Sequence, residues 1–145
     1  MTQAEAEALA SWHYTPPFDF YDWAADGDDL ELLLSPERRA ERFFSVYDGD
    51  ELAGFFEFRV EGDDVVIGLG LRPEFTGRGL GVPFVDAGLQ FARERLAARR
   101  FRLTVAEFNK RARIVYERCG FREGRTFDHE TNGGVWRFVE MTRDA

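Results

Sequence analysis

Leu71-Arg72-Pro73-Glu74-Phe75-Thr76-Gly77-Arg78-Gly79-Leu80-Gly81 joins a run of strand-forming residues to a run of helical periodicity. Upstream, Val65–Leu71 is β-rich and interrupted by Gly68 and Gly70. Downstream, Val85, Leu89, Ala92 and Leu96 recur at spacings of four, three and four, one face of a helix expected over 82–98. Pro83 is tolerable there because the first helical turn has no N–H partner to lose. The three glycines of the junction permit positive φ and a close backbone approach to a ligand. Their N–H groups and the positive end of the helix dipole suit an anion such as a pyrophosphate, and Arg78 can add a charge-assisted bond. The same string also reads as an ordinary Gly-rich turn. It is not a P-loop, since Gly-Lys-Ser/Thr is absent. It is not a dinucleotide fingerprint either, since its glycines follow an insertion and Val82 takes the sixth position.

Working outward, Phe43–Tyr47 and Leu52–Val60 flank Asp48-Gly49-Asp50-Glu51 and predict an antiparallel hairpin, with Val65–Leu71 as third strand. Gly68 and Gly70 predict a bulge or a ligand lying along that strand. Phe101–Val105 predicts a strand parallel to Val65–Leu71, because a helix connects the two. A helix follows from Lys110 to Cys119, capped by Asn109 and ended by Gly120. Strands near Phe121–Phe127 and Val135–Thr142 close the chain. The last is apolar on both faces, hence central or covered by a partner chain. Before Phe43 the sequence predicts helices at 3–11, 28–34 and 36–43, with an aromatic loop from Trp12 to Trp23. The sum is one α/β domain over residues 1–145 with a mixed sheet.

The second informative segment is Asn109-Lys110-Arg111-Ala112-Arg113-Ile114-Val115-Tyr116-Glu117-Arg118-Cys119-Gly120-Phe121. By spacing alone Tyr116 is a core aromatic, sharing an apolar face with Ala112, Val115 and Cys119. Taken with the Gly77–Gly81 loop, however, the segment resembles the Asn-x-x-Ala-x-x-x-Tyr-Glu-x-x-Gly-Phe stretch of the GNAT superfamily of N-acetyltransferases. The loop resembles that superfamily's Arg/Gln-x-x-Gly-x-Gly/Ala acyl-CoA signature. The two occur in the family's order and span about residues 43–127.

The resemblance implies a GNAT-like central sheet with an antiparallel N-terminal half, one splayed parallel pair and helices on both faces. The family's first strand is missing here. It implies acetyl-CoA as co-substrate, no metal, and direct transfer to a primary amine in a ternary complex. Backbone groups of Leu69, Gly70 and Leu71 would pair with the pantetheine arm. Amides of Gly77, Arg78, Gly79, Leu80, Gly81 and Val82 would cradle the pyrophosphate. Asn109 would contact pantetheine or cap its helix, and Tyr116 would be the general acid at sulfur. Thr76 stands where the family has Arg or Gln. Thr104 stands where some members carry a Glu base, and Glu57 and Glu107 are the nearest carboxylates by position. These departures keep a second reading open, a non-catalytic acyl-CoA-binding or sensing module on the same fold.

Composition bounds the partners. The 145 residues carry 27 acids against 19 bases, which disfavours nucleic acid. No apolar run approaches a membrane span, and no secretory leader is evident, so a cytoplasmic location is expected. One cysteine, Cys119, excludes an internal disulfide, and it reads as a small buried residue. Residues 1–37 hold nine acids and no Lys or Arg. That is either a solvated face or a mouth that draws a cationic acceptor, a small amine or a peptide N-terminus. In the latter case Asp19 and Asp22 face the cleft, with Trp12, Tyr14 or Tyr21 holding the acceptor. The rate would then rise with pH and fall with salt. A homodimer is also admitted.

Overall fold

The computed structural model describes residues 1–145. The chain runs α1 (Gln3–Ala10), two single 3-10 turns (Phe18–Tyr21 and Trp23–Ala25), α2 (Gly27–Leu34), α3 (Pro36–Arg39), β1 (Phe43–Asp48), β2 (Glu51–Glu61) and β3 (Asp64–Leu71). After a 3-10 turn (Pro73–Phe75) come α4 (Gly81–Arg95), β4 (Arg100–Ala106), α5 (Lys110–Arg118), β5 (Arg122–Thr131) and β6 (Gly134–Asp144). The six strands form one sheet in the order β1-β2-β3-β4-β6-β5, antiparallel except for β3 against β4. β6 is therefore an inner strand; its Phe138, Val139 and Met141 are buried, whereas Val135 and Trp136 near its start stay exposed. No strand precedes α1, and no helix is long and apolar enough to cross a membrane.

Neighbouring side chains of a strand face opposite ways, and Phe55 and Phe56 on β2 divide the core. Phe56 joins Phe58, Val65, Ile67, Leu103 and Val105 beneath Val85, Leu89 and Ala92 of α4, with α5 alongside. Phe55 joins Phe43 beneath Ala6, Leu9 and Leu33 of α1 and α2. Helices thus cover both faces. α4 ends at Arg95, not 98, because Leu96 turns extended. Leu96 still packs against the larger cluster, so its apolar spacing outlasts the helix. Likewise α3 stops at Arg39, not 43, and Arg42 already bonds along the sheet through Phe58 N–H at 3.0 Å.

α4 carries a glycine in its buried face for want of space. A Cβ at Gly88 would lie 2.3 Å from Phe56 Cε1, and Phe56 is stacked against Phe84 and Phe58 at centroid distances of 4.6 and 5.7 Å. Ala would gain about 1 kcal/mol of helix propensity, but overpacking costs about 1–3 kcal/mol and here meets a ring that cannot yield. Gly88→Ala is expected to lower the urea midpoint without changing the slope. A variant as stable as wild type would refute this packing.

The expected bulge at Gly68 and Gly70 does not occur. β2 and β3 pair without interruption from Gly54↔Leu71 to Glu61↔Asp64. The glycines serve packing across the strands instead. A Cβ on Gly70 would meet Phe55 Cε1 at 2.6 Å, and one on Gly68 would meet Glu57 Oε1 at 3.2 Å. On its other side β3 pairs with β4 only through Asp64↔Arg100, Val65↔Phe101 and Val66↔Arg102. Beyond Val66 the two strands splay.

Candidate active site

The splay leaves backbone groups facing an open V. Arg72 N–H donates to Ala53 O at 2.7 Å. In an antiparallel ladder the residues facing one neighbour alternate, so Gly70 and Gly68 bond to β2 while Leu69 and Leu71 face β4. Glu107 N–H donates to Arg137 O of β6 at 2.9 Å, so by the same alternation Thr104 and Ala106 face β3. The expectation that Gly70 lends backbone groups to a ligand is therefore corrected, because those groups pair with Phe55. One group at the mouth is already taken, for Tyr14 O–H donates to Leu71 O at 2.6 Å.

At the end of β3 the junction forms a cradle. Gly77 and Gly79 both have φ +74°, as the glycines suggested, whereas Gly81 begins α4. Gly81 is small for another reason, since a Cβ there would lie 2.9 Å from Val115 Cγ2 on α5. None of the amides of Gly77, Arg78, Gly79, Leu80, Gly81 or Val82 donates to a protein acceptor. The helix has no side-chain cap. Six free donors at a helix N-terminus make a strong anion site. Arg78 does not line the cleft, because its guanidinium lies over Phe75 at 5.8 Å. Thr76 Oγ1 is spent on Pro73 O at 2.7 Å.

Two cavities adjoin across the V. One, about 340 Å³, runs from the glycine cradle past Leu69, Leu71, Val115 and Asn109 to Tyr116. The other, about 520 Å³, opens on the α1/α2 face and shares Leu69, Gly70, Leu71, Thr76, Asn109, Arg111 and Tyr116 with the first. Tyr116 thus stands where they meet. Its hydroxyl has no protein partner, and burial raises its pKa further above the ordinary phenol range, so it stays protonated. Asn109 caps α5 by accepting from Ala112 N–H at 3.1 Å. Cys119 is buried, its thiol pushed up to about 11 by desolvation, which leaves it unreactive.

The aromatic loop forms the wall of the larger cavity, with some roles reassigned. Tyr14, Phe18, Phe20, Tyr21, Asp22 and Trp23 line it. Trp12 does not, since it packs against the smaller core cluster. Asp19 is exposed and faces away from the cavity. Asp22 lines the cavity but is occupied, taking Tyr14 N–H at 2.8 Å and lying 3.0 Å from His13 Nδ1. Glu57 is paired with Arg42 Nε at 2.6 Å, and Glu107 lies outside both cavities. Among the lining residues that the sequence reading did not single out are Asp29, Arg111 and His129. The Asp29 carboxylate has no bonded partner. Its pKa is raised by desolvation and by the charges of Asp26, Glu57 and Asp28, with His129 acting in the opposite sense. Arg111 lies 4.1 Å over the Phe18 ring and borders both cavities. His129 alternates with Phe127 on β5, and that period of two was the available signal.

Among known proteins, the chain is 40% identical over 108 residues to a mycothiol acetyltransferase of Geodermatophilus obscurus, covering 68% of this chain and 34% of that protein. It is 37% identical over 78 residues to one of Corynebacterium efficiens, covering 52% and 26%. The chain thus spans about a third or less of these curated relatives. In fold it resembles the spermidine N-acetyltransferase of Vibrio cholerae solved with CoA and spermine, with a TM-score of 0.78 and 21% identity over 99% of this chain and 92% of that one. It also resembles a GNAT-family acetyltransferase of Bacillus anthracis, with a TM-score of 0.76 and 17% identity over 99% and 91%. The Acetyltransferase (GNAT) family model matches residues 3–121. With most of its length inside that match, the chain belongs to the GNAT family of acetyltransferases.

Proposed function

We propose that this chain transfers an acetyl group from acetyl-CoA to a primary amine by direct attack with both substrates bound. The observation that carries the reading is the junction of the two cavities at Tyr116, with the free amides of Gly77, Gly79, Leu80 and Gly81 at the far end of one of them. Both curated relatives are named for acetyl transfer, and the Vibrio neighbour was solved with CoA, which supports the donor assignment.

The residues divide the work. Gly77 to Val82 hold the pyrophosphate, and the free edge groups of Leu69 and Leu71 N–H hold the pantetheine arm. The amine, neutral at the moment of attack, bonds to the thioester carbon and the C–S bond breaks. Tyr116 gives its proton to the departing sulfur, and the nitrogen's surplus proton restores the phenol directly or through water. The products are the N-acetyl amine and CoA thiol. Because Tyr116 is half-buried, with a desolvated hydroxyl, yet open to both cavities, it acts as a donor rather than a base across the neutral range.

The acceptor side carries a free acid, Asp29, in place of the Asp19 and Asp22 expected from sequence. Asp29 supports a small amine or peptide N-terminus that arrives as a cation and loses its proton before attack. Release of CoA thiol with a panel of cationic, neutral and anionic amines tests the assignment. Turnover should favour cations and rise from pH 7 to 9, and Asp29→Asn should raise their KM about tenfold while leaving neutral amines unaffected. Tight CoA binding with no thiol release from any amine would instead support the sensing module.

A further inference from the structure

Tyr21 occupies a place that the sheet itself vacates. If the β3–β4 ladder continued past Val66, its register would set the Ala106 N–H against the Leu69 carbonyl. The strands have parted there, and the Tyr21 oxygen takes the carbonyl's place, accepting from Ala106 N–H at 3.3 Å and from Asn109 Nδ2 at 3.2 Å. Phe20 and Phe108 flank the ring, with centroids 5.1 and 6.2 Å away. Two accepted bonds use the oxygen's lone pairs. Its own O–H donates to no protein atom, and the ring lines the larger cavity beside the β3 edge. The direction left to its proton is the one away from those two donors.

A donor held by a strand end and a helix cap, and directed across the cleft, has the character of an oxyanion donor. We propose that Tyr21 hydrogen-bonds the thioester oxygen of bound acetyl-CoA and stabilises the charge that gathers there as the amine adds. This rests on the donor site proposed above. Tyr21 and Tyr116 then have separate tasks, one at the carbonyl oxygen and one at sulfur. Although the ring is partly exposed, desolvation of the hydroxyl outweighs the two accepted bonds and raises the Tyr21 pKa, so it stays a donor over the working range. A hydroxyl fixed in advance costs no reorganisation when charge develops.

The decisive measurement is the infrared carbonyl band of acetyl-CoA labelled with carbon-13 at the carbonyl, bound without acceptor to wild type and to Tyr21→Phe. A hydrogen bond lowers that stretch, so the wild-type band should lie below that of the variant. In parallel, kcat should fall about 10²-fold in Tyr21→Phe, with the acceptor KM and the acetyl-CoA Kd unchanged. An unshifted band, or a raised acceptor KM at full kcat, would overturn the proposal and make Tyr21 an acceptor contact. The melting temperature of the variant monitors its fold, and an unshifted band from a folded variant counts against the idea whatever its activity. If acetyl-CoA fails to bind wild type, the donor-site reading itself falls, and the proposal with it.

Discussion

Gly79→Glu is expected to weaken acetyl-CoA binding by about 10³-fold. Gly79 has φ +74° in the middle of the six free amides, and a Cβ there meets nothing within 4 Å. The substitution therefore crowds no neighbour in the fold. Left-handed backbone costs about 1–2 kcal/mol for a residue with a Cβ. The larger effect is a carboxylate set where the pyrophosphate is proposed to bind, since like charges in contact cost several kcal/mol, and each 1.4 kcal/mol is tenfold. Calorimetry measures the affinity directly. The thermal shift gives an independent reading, for a ligand at about 100 times Kd adds about 2.7 kcal/mol to the native state. Gly79→Ala separates the two contributions, keeping the strain without the charge, and should lose only about tenfold. Unchanged affinity in the Glu variant would place the pyrophosphate elsewhere.

Tyr116→Phe should lower kcat by about 10³-fold, within the 10²–10⁴ range of general acid catalysis. The acetyl-CoA Kd should hold, because the lost hydroxyl bonds to no protein group and the ring keeps its edge contact with Phe121 at 6.1 Å. Burial already holds the phenol protonated above the neutral range, so the shape of the pH profile should survive the substitution. Only its height should fall. Wild-type turnover in the Phe variant would return Tyr116 to the core, the role its helical spacing alone suggested.

The architecture was legible from local patterns. Period-two runs marked the strands, the four-three-four spacing marked α4, and the Gly-bearing turn marked the first hairpin. The splay follows from the family resemblance and not from local pattern. Local pattern and structure part at residues with two physical uses. Gly70 looked like a bulge because glycine weakens strands, but Phe55 on the next strand needed its space. Leu96 extended the apolar helical face although it folds back in extended form. Of the two acids expected at the cleft, Asp22 lines the larger cavity and Asp19 does not. Asp22 and Asp26 are consumed in tying loops together, Asp26 by Thr131 and Asn132, while Asp29 stays free. Which acid of such a run is spent on structure depends on partners far away in sequence, and no local pattern reveals it.

The Trp12–Trp23 loop grips both lips of the opening, Tyr14 at Leu71 on one strand and Tyr21 at Ala106 on the other. A change in the gap on ligand binding would therefore be felt by a segment that also walls the larger cavity. With the donor and acceptor sites proposed above, the two binding equilibria would be joined through that span without the two ligands having to touch. Such coupling is reciprocal by thermodynamic necessity: whatever factor the donor imposes on acceptor affinity, the acceptor returns to the donor.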